Sequence, residues 1–214
     1  MEYITIKNYT KKIKGLTVLD NINLTFNKGG IYGLVGKNGC GKTMLLRAIC
    51  GFITPTSGEA AVSGVKVGNG KFAPSLGTVI ENVELYNNLT AYENLALLSS
   101  FSKNKLSKGT ICSWIERFGL DPKSKKKYGE FSLGMCQRLS LAQAFMERPE
   151  LIVLDEPTNA LDEKGIQDFY KIALEARENG ATIIIASHSK EDIDTLCDKI
   201  YYIEGGAIKK EIEK

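Results

Sequence analysis

Apolar and polar residues alternate from Glu2 to Lys7, where Ile4 and Ile6 share a face, and again from Asn21 to Phe26, where Ile22, Leu24 and Phe26 do. A period of two marks half-buried strands, so these segments predict a small sheet near the start of the chain. Three other segments lose the alternation: IYGLVG (Ile31 to Gly36), LIVLDE (Leu151 to Glu156) and ATIIIASH (Ala181 to His188). Each holds a short continuous apolar run, the pattern of a strand covered on both faces in a parallel sheet. Helical signals are of another kind. MLLRAIC, Met44 to Cys50, is apolar nearly all round and closed by Gly51, while Thr90 and Glu93 form a T-x-x-E capping box ahead of ENLALL. Ile111, Trp114, Ile115 and Phe118 fall at i, i+3, i+4 and i+7, with Gly119 as the stop. Plain core packing is the expectation for Trp114 and Phe118.

The connecting stretches are less regular. PTSGE, Pro55 to Glu59, predicts a turn, and Ala60 to Val67 a further strand of the first sheet with Gly64 as a bulge or bend. Val67 to Leu76 is broken by glycines and yields no pattern. KIYYIEGGAIKKEI, Lys199 to Ile212, reads as two strands about a Gly205-Gly206 hairpin.

Composition narrows the choices. A chain of 214 residues can bury one sizeable core, so a single domain over 1–214 is expected. The net charge of +3 is small and the basic residues are spread along the chain, so no nucleic-acid partner is expected. The lysines of DPKSKKK, Asp121 to Lys127, read as a solvated loop. Cys40, Cys50, Cys112, Cys136 and Cys197 are odd in number and never in a C-x-x-C pair. They are expected to be small buried apolar residues in a reducing compartment rather than a disulfide framework or zinc site. The apolar stretches fall far short of a membrane span and MEYITIKNYT lacks the build of a secretion signal, so a cytoplasmic chain is expected.

The candidate chemistry centres on GKNGCGKT: Gly36, Lys37, Asn38, Gly39, Cys40, Gly41, Lys42 and Thr43. It fits G-x-x-x-x-G-K-[ST], in which glycines let successive N–H groups converge on phosphate oxygens. Lys42 supplies a mobile cation for the β- and γ-phosphates, Thr43 offers a hydroxyl to Mg²⁺, and the helix that follows points its positive end at the same anion. A glycine-rich turn without a ligand would not require the flanking order of strand, loop and buried helix. LIVLDE places Asp155 and Glu156 where a parallel strand ends, which is where ligands bind in such sheets. Asp155 would hold Mg²⁺ directly or through water, and Glu156 would orient and deprotonate an attacking water. His188, the only histidine, arrives at the same edge and is assigned to the γ-phosphate.

With those elements in place, FSLGMCQRLSLAQA (Phe131 to Ala144) resembles the signature segment of ATP-binding-cassette ATPases, and the likeness covers essentially the whole chain. Ser132, Leu133, Gly134 and Met135 stand where the family commonly has S-G-G-Q, with Gln137 and Arg138 following as they often do. Asn159 to Asp162 looks like the family's loop that reaches across to the opposing subunit, and His188 matches its switch histidine. The resemblance implies an α/β fold: a P-loop NTPase core with a mostly parallel sheet, an N-terminal antiparallel β subdomain, and a helical subdomain over about 88–148. It also implies a head-to-tail pair of cassettes, homo- or heterodimeric, with ATP and Mg²⁺ sandwiched between the cradle of one and Ser132–Gly134 of the other.

This sequence departs from the family pattern at three places. The position of the adenine-stacking aromatic is Ile13, so adenine is held more weakly or a nearby tyrosine such as Tyr9 substitutes. The magnesium-sensing glutamine is replaced by Glu81, a carboxylate still able to ligate Mg²⁺. The signature is altered to SLGM. Together with IEN and LYNNLTAYENL, these features look similar to bacterial cassettes for export of, or immunity to, peptide antibiotics. The expected function is an ATP-hydrolysing subunit, peripheral on the inner face of the membrane, driving a separate membrane-spanning permease. The alternative is a soluble cassette ATPase acting on cytoplasmic assemblies. A kinase on the same cradle would leave the signature, the acidic pair and His188 unexplained, and a non-hydrolysing module is disfavoured by Glu156 and His188.

Overall fold

The computed structural model describes residues 1–81 and 84–214. Its first sheet is antiparallel, in the order β2-β1-β4-β5: β1 is Glu2–Ile13, β2 Leu16–Asn27, β4 Ser57–Val62 and β5 Val65–Val67. Between its strands the chain makes β3 (Ile31–Val35) and α1 (Lys42–Cys50). β3 lies inside a six-stranded sheet ordered β10-β9-β3-β8-β7-β6, with β6 at Leu76–Val79, β7 at Leu151–Asp155, β8 at Thr182–Ala186, β9 at Lys199–Glu204 and β10 at Ala207–Glu213. All of its pairings are parallel except the β9–β10 hairpin. The remaining helices are α2 (Ala91–Ser100), α3 (Lys108–Arg117), α4 (Leu133–Phe145), α5 (Glu163–Glu178) and α6 (Lys190–Leu196). The architecture is the α/β fold expected.

Why the central strands read as unbroken apolar runs is visible in the packing. Leu151 and Val153 of β7, with Ile184 and Ala186 of β8, face a core built from the antiparallel sheet and α1. Ile152 and Leu154, with Ile183 and Ile185, face a second core that holds Leu95, Ile115, Leu139 and Phe169 from the helices. Both faces are covered, so both sets of alternate positions are apolar. Trp114 and Phe118 pack in that second core. The capping box forms as spelled: Thr90 Oγ1 accepts from Glu93 N–H and Glu93 Oε2 from Thr90 N–H.

The structure corrects several expectations. β1 and β2 run well beyond the alternating segments, because bulges, one at Asn8 with φ 48°, shift the period within β1. PTSGE is only partly a turn, since β4 starts at Ser57. Ala60 to Val67 is not one bent strand but a hairpin about Ser63 and Gly64, whose φ of 49° and 76° suit a tight reversal. β6 sits at the end of the stretch that gave no pattern. The amphipathic helix α5 was not expected, although Asp162 accepting from Gly165 N–H at 2.8 Å is an ordinary helix cap. Of the cysteines, Cys40, Cys50 and Cys197 are buried, but Cys112 of α3 and Cys136 of α4 are only half-buried.

Candidate active site

The cradle forms where β3 runs out: the loop 36–41 turns over the strand's end and α1 starts at Lys42. A Cβ on Gly36 would press into the carbonyl of Ile203 and lie 2.6 Å from Cys40 Sγ. Gly41, at φ 111°, holds a conformation that L side chains avoid, and its Cβ would meet Val18 O at 2.9 Å. Lys42 is 6% exposed, its ammonium donating to Gly36 O at 2.7 Å and reaching Lys37 O at 3.5 Å. Cys40 turns its thiol into the core, its N–H donates to Lys37 O and its carbonyl accepts from Gly206 N–H, so it fixes the shape of the loop.

Thr43 Oγ1 donates to Asp155 Oδ2 at 2.6 Å, joining the start of α1 to the end of β7. The Asp155 carboxyl is pushed above its ordinary value, chiefly by burial. Glu156 and Glu81 add to the rise, against the Thr43 hydrogen bond and the charge of Lys42. A divalent cation would offset that burial of negative charge, and a hydroxyl beside a carboxylate is the hard-oxygen pair that Mg²⁺ takes. Among the described residues no group of three His, Cys, Asp or Glu side chains could hold a metal. The protein would therefore supply Thr43 and Asp155 and leave the other positions to phosphate and water. When bound there, Mg²⁺ would neutralise charge on the transferred phosphate.

Glu156 has φ 48°, a left-handed conformation that strains a non-glycine residue by about 1–3 kcal/mol. Its N–H donates to Ala186 O at 2.8 Å, which ties the bend to β8. The same carboxylate oxygen accepts from the His188 N–H at 3.3 Å and lies 2.7 Å from His188 Nδ1. A carboxylate so oriented, with the imidazole 65% exposed beside it, can position and deprotonate a water. A cleft of about 360 Å³ brings Asn38, Gly39, Lys42, Thr43, Asp155 and Glu156 together. Val18 of β2 adds a wall that sequence reasoning missed; no local pattern marks it, because only the tertiary fold brings its carbonyl against Gly41. A larger cavity, about 640 Å³, opens where Lys28, Arg148 and Ala181 precede or approach the starts of the parallel strands, the end of the sheet away from these acids.

Other expected residues lie elsewhere. Glu81 is 58% exposed at its side chain, with Oε2 held by Arg47 Nη2 at 2.7 Å, and is not part of the cleft lining. Ser132 caps α4, accepting from Met135 N–H at 3.3 Å, and Leu133 is 71% exposed. Gly134 presses its α-carbon against the loop after β7: a Cβ there would meet Ala160 O at 2.7 Å. Asp162 caps α5 and pairs with Arg138; the Gly165 N–H, ahead of that guanidinium, holds its carboxyl below the usual value. Gln137 Nε2 donates to Pro157 O at 2.8 Å, a second tie between α4 and the loop after the acidic pair. Tyr9 cannot serve adenine: it is 1% exposed in the core, its hydroxyl donating to Ile53 O, because β1 turns it under the sheet. Ile13 is partly exposed at the strand's end.

A family model described as ABC transporter matches residues 19–159. The chain belongs to the ABC transporter family. It is 50% identical over 196 residues to the uncharacterised ABC transporter ATP-binding protein YybJ of Bacillus subtilis, covering 91% of this chain and 89% of that one. It is 38% identical to the bacitracin transport ATP-binding protein BcrA of Enterococcus faecalis over 99% of this chain and 70% of that one. The lantibiotic transport ATP-binding protein SrtF of Streptococcus pyogenes is 35% identical, over 98% and 90%. Among solved structures, the dimeric post-hydrolysis state of the ATP-binding cassette MJ0796 bound to ADP and Pi superposes with a TM-score of 0.87 at 25% identity, covering 98% of each chain. The cassette is an ATPase by family, and its cleft carries the acid, hydroxyl and lysine that such chemistry needs. No helix among the described residues is long and apolar enough to cross a membrane.

Proposed function

We propose that this cassette is the ATP-hydrolysing subunit of a transporter, closing head to tail with a second cassette over ATP and Mg²⁺ and driving a separate membrane-spanning partner from the inner face of the membrane. The observation that carries this reading is how the parts are divided. Lys42, Thr43, Asp155 and Glu156 share one cleft, with His188 against Glu156. Ser132 to Met135 instead begin α4 outside that cleft, with Leu133 turned to solvent. A nucleotide on one cradle is thus free to meet the N-terminus of another cassette's α4, whose N–H groups and positive dipole end suit a γ-phosphate. ATP bridges two such surfaces and ADP does not, so hydrolysis releases the pair. Arg138 to Asp162 and Gln137 to Pro157 link α4 to the loop beyond Glu156, which supports coupling between the two half-sites.

Transport of bacitracin and lantibiotics by the systems to which BcrA and SrtF belong supports a peptide antibiotic as the cargo class, in accord with the altered signature. Glu156→Gln tests the enzyme half of the proposal. It should keep MgATP binding, lower turnover by about 10²–10⁴-fold, and leave a dimer that light scattering detects in ATP. Turnover at the wild-type rate would remove Glu156 from its role. Co-purification in detergent with a polytopic protein tests the membrane half; soluble partners alone would favour the cytoplasmic alternative.

A further inference from the structure

We propose that Asp192 is a positioning residue for hydrolysis, its carboxylate clamping the turn after β7 to the turn after β8 so that Glu156 stays against His188. The proposal rests on the ATPase reading of this cleft. Asp192 lies in the first turn of α6 and is 1% exposed. No Lys, Arg or His side chain forms an ion pair with it among the described residues. A carboxylate buried without a cation is expensive unless its oxygens are fully hydrogen-bonded. Here hydroxyls do that. Thr158 Oγ1 at 2.7 Å and Ser187 Oγ at 2.8 Å both donate to Oδ2, and the Tyr170 hydroxyl donates to Oδ1 at 2.6 Å. The Tyr170 phenol is pushed up, first by burial and then by this carboxylate.

The placement of those donors gives the clamp its meaning. Thr158 stands two residues beyond Glu156, and Ser187 immediately precedes His188. A closed ring results: from Glu156 along the chain to Thr158, across Asp192 to Ser187, on to His188, and back through the 2.7 Å contact to Glu156. Ser187 Oγ also accepts from Ser189 N–H at 3.0 Å, and Asp192 N–H donates to Ser189 Oγ at 3.2 Å, so the turn bearing His188 is held on both sides. Because one oxygen serves both turns, neither can shift by more than a few tenths of an ångström without losing a hydrogen bond. A residue present only to fill space would be apolar; this one spends charge on joining two turns.

Asp192→Asn keeps the shape, and it touches no nucleotide-binding residue. It should lower kcat about tenfold or more, roughly the effect of displacing a base by a fraction of an ångström, and leave KM for MgATP within about twofold. In a His188→Ala background the same change should have less than about a twofold effect, since the two act through one ring. The chain has one histidine, so the imidazole ¹³C–¹H cross-peak of nucleotide-free protein is an unambiguous probe. In Asp192→Asn it should move toward its position in Glu156→Gln. A cross-peak that stays in place, unchanged kcat, or effects that multiply with His188→Ala would overturn the clamp. Should Asp192→Asn not fold, Thr158→Val and Ser187→Ala each remove one donor and should move the same peak; stationary peaks in both would overturn it equally. The cross-peak needs no ATP, so a wild type without ATPase activity would sink the functional reading while the peak still judges the clamp.

Discussion

Gly134→Ala sets two effects of opposite sign against each other. In a helix, alanine is favoured over glycine by about 0.8–1.0 kcal/mol, less at the first turn where Gly134 lies. The added Cβ would sit 2.7 Å from Ala160 O, inside the 3.0 Å that such contacts essentially never cross, and the obstacle is a backbone carbonyl that cannot swing away. Ala160 is already at φ 64°, so the loop has little freedom to absorb the push. Overpacking of this kind costs about 1–3 kcal/mol, which exceeds the helix gain. The variant should lose about 1 kcal/mol net, a fall in Tm of about 2–4 °C for a domain of this size. Turnover should suffer more than stability. The strain is relieved by moving the start of α4 away from the loop that carries Asp162, and if that helix end meets a phosphate as proposed, a displacement of about 1 Å there costs about 10²-fold. Thermal unfolding and steady-state ATPase assays on the same preparation check both numbers. A variant more stable than the wild type and equally active would show that the Gly134 to Ala160 contact is not tight and that helix propensity alone decides this site.

Two further outcomes follow from the geometry. Asp155→Asn should raise Tm at neutral pH in the absence of nucleotide while abolishing the Mg²⁺ dependence of ATP binding. The folded carboxyl titrates above its ordinary value, so its favourable contribution is present below about pH 4 and lost as pH rises through the raised value; the gain should shrink toward acid in a pH series of melting curves. Thr90→Ala removes the hydroxyl of a complete capping box and should lower stability by about 1 kcal/mol with ATPase rates unchanged, as read by denaturant unfolding and turnover side by side.

Much of this site was legible in the letters because its chemistry depends on contiguous residues. GKNGCGKT must be one loop running into a helix start, since a phosphate nest is made by consecutive N–H groups, and LIVLDE must be one strand end. The Thr43–Asp155 bond, by contrast, joins residues that only the sheet order brings together; two strong local patterns implied it without proving the distance. What went unread was of two kinds. α5 does carry the helical period, with Ile166, Phe169, Tyr170 and Ala173 at i, i+3, i+4 and i+7 behind the Asp162 cap, and was overlooked rather than hidden; β6 is four residues long with a glycine in it, too short for a period to declare itself. Tyr9 was misread for another reason: a bulge at Asn8 changes which face the following residues present, and alternation counted from Ile4 cannot register it. Asp192 drew no reading from the sequence, because its burial and two of its three hydroxyl partners come from segments distant in the chain.

The central sheet is a partition wall as well as a scaffold. Ile152 and Val153 are neighbours in the chain yet look into different rooms, one shared with the helices and the other with the antiparallel strands and α1. A methyl group removed from one should be felt as loosening on its own side only, while the acids mounted on the wall's rim stay where they are. The rim acids thus stand on a strand gripped from both rooms, so loosening one side alone does not set them free.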